Sequence, residues 1–112
     1  MKQNRPEKKP RRTHEPPALV LGVAWYRPEQ WDRLLALSED RDELEKTHGE
    51  WLKGALRAMG QLEAQGIIAE SVSVDVDELA AWCAARNTSI NAESRSAFAA
   101  EKVRLRHEGG QE

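Results

Sequence analysis

The first apolar run of the chain, residues 18–26, contains no polar position that would mark a solvent face. A strand with apolar residues on both faces is typical of a strand covered on both sides. Pro28 follows where the first turn of a helix tolerates it, and Trp31, Leu34 and Leu35 continue at helical spacing. The pattern therefore predicts a strand that passes directly into a helix.

A second, longer helix is predicted over residues 41–65. Asp40 and Glu43 have the spacing of a capping box at its start, and Gly66 is a natural stop at its end. Its apolar stripe consists of positions that recur with helical periodicity, namely Leu44, His48, Trp51, Ala55, Met59 and Leu62.

Residues 68–76 alternate between apolar and polar side chains, which predicts a half-exposed strand. Asp75 and Glu78 repeat the capping-box spacing and open a third helix that carries Leu79, Trp82 and Cys83. A turn with Asn91 as N-cap leads to a fourth helix, whose apolar positions are Phe98, Ala99, Val103 and Leu105.

The order β-α-α-β-α-α predicts an α+β fold in which four helices cover a two-stranded sheet. We expect the first strand and the stripes of the first two helices to form the core. Two helices between the strands favour an antiparallel pair, although a parallel crossover stays open. Because a two-stranded sheet is marginal alone, dimerisation into a four-stranded sheet is a further hypothesis.

Charge divides the chain into an arm and a domain. Residues 1–17 carry six Lys and Arg against two Glu, a net charge of +4, together with four of the five prolines. Such a segment buries too little apolar area to offset its ordering entropy. We therefore predict a disordered basic arm over residues 1–17, one domain over residues 18–106 and a frayed tail over residues 107–112.

The basic arm has the chemistry to contact polyanions. Six Lys and Arg within residues 2–12 would bind phosphates by counterion release, with Lys8, Lys9, Arg11 and Arg12 as the densest group. No aromatic residue is interleaved, so base stacking is not implied. A solvated tail is favoured over a nucleic-acid contact, which remains an alternative.

Four tryptophans against one tyrosine and one phenylalanine are unusual in a chain of 112 residues. Trp31, Trp51 and Trp82 each fall on a helix stripe, which favours a structural core over an aromatic pocket. Trp25 and Tyr26 point to opposite sides of a strand. One of these two is therefore the candidate for a binding groove or a subunit contact.

Three further residues are candidates for chemistry. His48 lies on a helix stripe, where a hydrogen-bonded packing role is favoured over catalysis. Cys83 lies inside a helix with nothing beside it to lower its pKa, which favours a small buried hydrophobe. Asp75 is expected to cap a helix, with ligand binding as the alternative.

Other motifs are missing from the sequence. A single cysteine excludes an intrachain disulfide and a zinc site built on paired cysteines. No spaced histidine pair, glycine-rich phosphate loop or nucleophile elbow occurs, so we predict neither a cofactor nor a metal. The longest apolar run is shorter than the roughly 20 residues of a membrane span, and we predict a cytoplasmic protein without membrane contact.

Three segments resemble a family of small uncharacterised bacterial proteins: "GVAWYRPEQW", "DELEKTHGEWL" and "VDVDELAAWC". The resemblance covers residues 21–103 and leaves out the arm. It implies a bacterial cytosolic protein and carries no activity, cofactor or catalytic residue.

The sequence favours a non-catalytic binding module that self-associates, with Trp25, Tyr26, His48 and Asp75 as candidate binding residues. A nucleic-acid-associated accessory protein is the first alternative. A small enzyme of unknown reaction is the second alternative, and no catalytic residue is assigned.

Overall fold

The computed structural model describes residues 19–109. It has the predicted α+β order, with two strands and four α-helices. These are β1 (Val20–Trp25), α1 (Trp31–Leu37), α2 (His48–Ala64), β2 (Ile68–Ser73), α3 (Val76–Ala85) and α4 (Ala92–Gly109), and short 3-10 turns at Pro28–Gln30 and Arg41–Glu43 lead into α1 and towards α2.

The two strands run parallel, so the expected antiparallel pairing is wrong. Val20 lies opposite Ile68 and Trp25 opposite Ser73. The helix α2 has 17 residues, about 26 Å at 1.5 Å per residue, which is enough to run back along a strand of about 20 Å. The 7-residue α1 does not reverse the chain a second time, and β2 therefore starts beside the start of β1.

One face of the sheet is covered by α4, and Gly22 makes this packing close. A Cβ atom at Gly22 would lie 2.7 Å from Val103 Cγ2 and 2.8 Å from the Ala99 carbonyl oxygen. Val72, Ala99 and Val103 form a buried cluster at this contact. Because glycine has no side chain, Gly22 allows the backbones of β1 and α4 to approach closely.

The buried core differs from the expected one. It is supplied mainly by α1, the end of β2, α3 and α4, and includes Trp31, Leu34, Val74, Leu79, Cys83 and Phe98. Neither β1 nor α2 contributes a fully buried residue. The prediction that β1 and the α2 stripe form the core is therefore wrong, because their apolar residues, such as Ala24 and Trp51, are only partly buried and pack against a core that other elements supply.

The start of α2 also differs from the prediction. Residues 41–43 form a separate 3-10 turn, and the N-cap is Thr47, whose Oγ1 accepts a hydrogen bond from the Glu50 N–H at 3.1 Å. Asp40 does not cap a helix, because its carboxylate binds Arg95. The pattern Thr47 to Glu50 is itself a capping-box pattern.

Three other helix boundaries agree with the predictions. Asp75 Oδ1 accepts hydrogen bonds from the N–H groups of Asp77 and Glu78 and caps α3. Asn91 Oδ1 accepts from the Ser94 N–H at the start of α4. Gly66, with φ of +82°, ends α2.

The helix α4 continues to Gly109, so the first three residues of the predicted tail are helical. The His107 ring contacts the Glu70 carboxylate at 2.8 Å. The predicted basic arm, with Lys8, Lys9, Arg11 and Arg12, lies outside the described residues.

Candidate functional site

The strand β1 has a free backbone edge. Ile68 N–H donates to the Leu19 carbonyl and Val74 N–H donates to the Trp25 carbonyl. Because backbone groups alternate in direction along a strand, odd-numbered residues of β1 face β2. Val20, Gly22 and Ala24 therefore direct their N–H and C=O groups away from the sheet, and within residues 19–109 no bond outside the ladder occupies them.

A cleft of about 370 Å³ runs along this edge. Four consecutive residues of β1 form one side, which shows that the cleft follows the strand backbone. The first turns of α4 supply Ala92, Arg95 and Ser96, and the remaining wall is apolar and aromatic, with Tyr26, Trp31, Leu34, Leu44 and Trp51.

Aromatic rings from β1, α1 and α2 meet beside the cleft. Trp51 stacks on Trp31 at 5.5 Å and meets the Tyr26 ring edge-on at 5.3 Å. Trp25, the more exposed member of the Trp25–Tyr26 pair, packs edge-on against Trp51 at 5.2 Å. Such pairs contribute about 0.5–1.5 kcal/mol beyond their buried area, and they are what holds the start of α2 against the sheet.

His48 belongs to the same cluster and has a structural bond. Its Nε2 lies 2.7 Å from the Tyr26 carbonyl oxygen, and its ring lies 5.1 Å from the Trp51 ring. The Nε2 atom must carry the proton in order to donate to a carbonyl. His48 therefore links α2 to the end of β1 through this hydrogen bond and its ring packing. This is the hydrogen-bonded packing role that the sequence favoured over catalysis.

A buried ion pair borders the cleft. Arg95 donates from Nη1 and Nη2 to both carboxylate oxygens of Asp40, at 2.9 and 2.8 Å, and Nη1 lies 3.3 Å from Ser38 Oγ. These bonds hold the pKa of Asp40 below its ordinary value. The guanidinium is thus already engaged, and the pair fixes the start of α4 to the segment that precedes α2.

Tyr26 presents a neutral phenol at this position. Its side chain is 5% exposed, and burial raises the pKa of Tyr26 to about 12. Among the described residues its hydroxyl has no hydrogen-bond partner. At neutral pH the group is therefore a hydrogen-bond donor and not a base.

Three of the four candidate binding residues come together, namely Trp25, Tyr26 and His48. The fourth, Asp75, uses its carboxylate to cap α3. Cys83 is buried in the core, as the sequence interpretation expected. Trp31 is fully buried, whereas Trp51 and Trp82 are partly buried at the edge of the core.

Sequence reasoning missed Arg95 and Leu21. Arg95 stands one helical turn before Ala99 and two before Val103, on the apolar side of α4. A charged residue on such a stripe indicates a buried partner, and this signal could have identified the ion pair. Leu21 looked like a buried strand residue, yet its side chain is 43% exposed.

A second cleft, of about 360 Å³, lies between α3 and α4. Trp82 and Phe98 form its floor, and ion pairs stand at its rim, including the pair between Lys102 and Glu78. Trp82 Nε1 donates to Glu101 at 3.3 Å, and Arg86 lies over the Trp82 ring. Its polar groups are therefore satisfied within the domain.

Comparison of the chain with family models, with curated proteins and with solved structures gives no match. Within residues 19–109, no helix is long and apolar enough to cross a membrane. The same residues bring no three His, Cys, Asp or Glu side chains together in a potential metal site.

Proposed function

We propose that this protein is a non-catalytic protein-interaction module that receives an extended segment of a partner along the free edge of β1. The observation that carries the proposal is the cleft that follows four consecutive residues along an edge of β1 to which none of residues 19–109 is paired. In this mode of recognition, main-chain hydrogen bonds supply affinity and side-chain pockets supply specificity.

The cleft has both components. Val20, Gly22 and Ala24 offer main-chain donors and acceptors, and the aromatic wall offers a pocket for an apolar side chain. The hydroxyl of Tyr26, which has no hydrogen-bond partner within residues 19–109, adds a donor for a carbonyl of the bound segment. An inserted strand would also cover Leu21, which is otherwise exposed.

The chemistry of the neighbouring groups supports binding over catalysis. The Tyr26 phenol stays protonated at neutral pH, His48 is bonded to a main-chain carbonyl, and Arg95 is paired with Asp40. None of these groups is left as a base beside a nucleophile. The recurring feature of the site is unpaired backbone and apolar surface.

The proposal is tested by selecting short random peptides from a phage-displayed library on the immobilised full chain. We expect enriched peptides with alternating apolar residues, and amide hydrogen exchange should show new protection at Val20, Gly22 and Ala24 when they bind. Leu21 and Val23, whose N–H groups already bond β2, should show little change.

Two lysine variants provide the control. Leu21→Lys should weaken binding of a selected peptide at least about 10-fold, because it places a charge against the inserted strand. Leu37→Lys changes a residue of similar exposure (39% against 43%) outside the cleft and should leave binding unchanged. Absence of enriched peptides at a protein concentration where the chain is monomeric, or equal effects of the two variants, would contradict the proposal.

The basic segment of residues 2–12 supports a second proposal, contact with nucleic acid or another polyanion. Its six Lys and Arg predict binding that falls steeply with salt. Deleting residues 1–17 should abolish such binding to a mixed-sequence DNA duplex at low salt. If the full chain shows no binding under those conditions, this second proposal is wrong.

A further inference from the structure

We infer that the segment received by the β1 edge is β1 of a second copy, paired antiparallel about a two-fold axis that passes beside Gly22. This inference rests on the proposed function, since it names the partner of the same edge. The resulting sheet has four strands in the order β2, β1, second β1, second β2.

The backbone of β1 favours this register. Val20, Gly22 and Ala24 are the residues whose N–H and C=O groups point outward. With Gly22 opposite Gly22, Val20 of one copy lies opposite Ala24 of the other. Each of the three pairs then exchanges two hydrogen bonds, as hydrogen-bonded pairs of an antiparallel ladder do.

The exposed side chains of β1 are complementary in the same register. Leu21 lies opposite Val23 of the second copy, and Leu19 lies opposite Trp25. Leu19 and Leu21 are 62% and 43% exposed in the single chain, and these cross-strand neighbours would cover both. Non-hydrogen-bonded pairs of this kind bring Cβ atoms to about 4.5–5.5 Å.

Charge and space also favour the pairing. Residues 19–26 contain no Asp, Glu, Lys or Arg, so two identical strands can meet without like charges, and β1 lacks the charges that usually protect an edge strand. The α4 wall of the cleft presents the small residues Ala92 and Ser96 beside Arg95, whose charge is paired with Asp40, so a neighbouring strand meets no unpaired charge from this wall. By contrast, β2 carries Glu70 with Arg106 and His107 beside it.

The oligomeric state of the full chain gives the first test. Sedimentation equilibrium should give twice the chain mass of 12.7 kDa. Leu21→Lys should weaken dimerisation on the order of 100-fold, because two-fold symmetry introduces each charge twice, whereas Leu37→Lys should leave it unchanged. A single-chain mass at the highest attainable concentration would overturn the inference.

Cysteine pairing tests the register. Under mild oxidation, an equimolar mixture of Leu21→Cys and Val23→Cys chains should form a disulfide-linked dimer between the two variants. Either variant alone should form much less, since position 21 lies opposite position 23 and not opposite itself. Linkage of Leu21→Cys to itself at the same yield would overturn this register.

The two proposals can fail separately. If the parent chain is monomeric while selected peptides still protect Val20, Gly22 and Ala24, the edge receives a segment of another protein and only the inference of a second copy is wrong. If peptides and second copies both fail to bind, the proposed function is wrong as well.

Discussion

The two faces of the sheet are packed in different ways. On the α4 face, Gly22 lets helix and strand backbones approach closely, and Val72, Ala99 and Val103 are buried. On the α2 face, the side chains of the helix are at most partly buried, and the aromatic packing lies near its start, where Trp51 meets Trp25 and Tyr26. The 17 residues of α2 include no fully buried side chain, and Leu56 is 56% exposed.

This difference indicates which substitutions should affect stability and which should affect the proposed binding. Close packing of small and branched residues makes the α4 face a fixed scaffold. The α2 face and the β1 edge keep apolar surface that a partner can cover. The largest energetic effects are therefore expected from changes on the scaffold side, and the largest binding effects from changes at the edge.

Phe98→Ala should cause the largest loss of stability. Phe98 is 2% exposed and packs edge-on against Trp82, so its removal leaves a cavity that costs about 3–5 kcal/mol. Urea unfolding followed by tryptophan fluorescence measures the loss as a lower midpoint at constant slope.

Leu56→Ala is the matched change on α2. Because Leu56 is mostly exposed, its truncation should lower the free energy of unfolding by no more than about 0.5 kcal/mol. The measurement uses the same urea unfolding at a concentration where the chain is monomeric. A cost comparable with that of Phe98→Ala would show that α2 is packed as tightly as α4, and the contrast between the two faces would be lost.

Arg95→Met should cause the next largest loss of stability, lowering the free energy of unfolding by about 3 kcal/mol at neutral pH. It removes the partner of Asp40, whose side chain is 15% exposed, and leaves a mostly buried carboxylate without compensation. The expected result is a lower urea midpoint, which a second change, Asp40→Asn, should partly restore.

The pH dependence of this pair has a definite sign. Arg95 lowers the pKa of Asp40 in the folded chain, so the pair stabilises the fold above the pKa of an unfolded Asp, about 4. That contribution is lost as pH falls through the folded pKa. The stability difference between parent and Arg95→Met should therefore shrink in acid, and a difference that grew instead would contradict the role of the pair.

Gly22→Ala should lower the free energy of unfolding by about 1–3 kcal/mol. The added Cβ would meet the carbonyl oxygen of Ala99, a backbone atom that cannot easily move aside. Gly54→Ala is the opposite case, because a Cβ there meets no atom within 4 Å and alanine favours a helix by about 1 kcal/mol. Unfolding midpoints that move in opposite directions would confirm the close α4 contact. Equal and small shifts would refute it.

The sequence predicted the elements of this fold better than their arrangement. Local signals such as the Asp75 and Asn91 caps and the Gly66 stop are complete within a few residues, and the structure has all three. The direction of β2 depends on the lengths of the helices that connect the two strands. Which residues are buried depends on which face of the sheet a distant helix covers. The apolar run of β1 therefore suggested full burial, although one backbone edge of the strand is open.

The candidate site was predictable in part for the same reason. The alternation of Trp25 and Tyr26 indicated that one ring can be buried while the outward one lines a groove. One ring is indeed more buried, but it is the buried Tyr26 that lines the cleft, and the more exposed Trp25 does not. The cleft itself needs Arg95 and Ser96, which lie about 70 residues later in the chain. No pattern local to β1 can predict that α4 would begin beside its edge.

Thr47→Ala should lower the free energy of unfolding by only about 1 kcal/mol, because it removes the side-chain acceptor for the Glu50 N–H. The loss should be local, since α2 contributes no fully buried residue through which the change could spread. Amide hydrogen exchange should quicken in the first turn of α2 and leave α4 unchanged. Equal loss of protection in both helices would mean that the two sides of the sheet unfold as one unit, whereas a local loss would show that the first turn of α2 opens independently of α4.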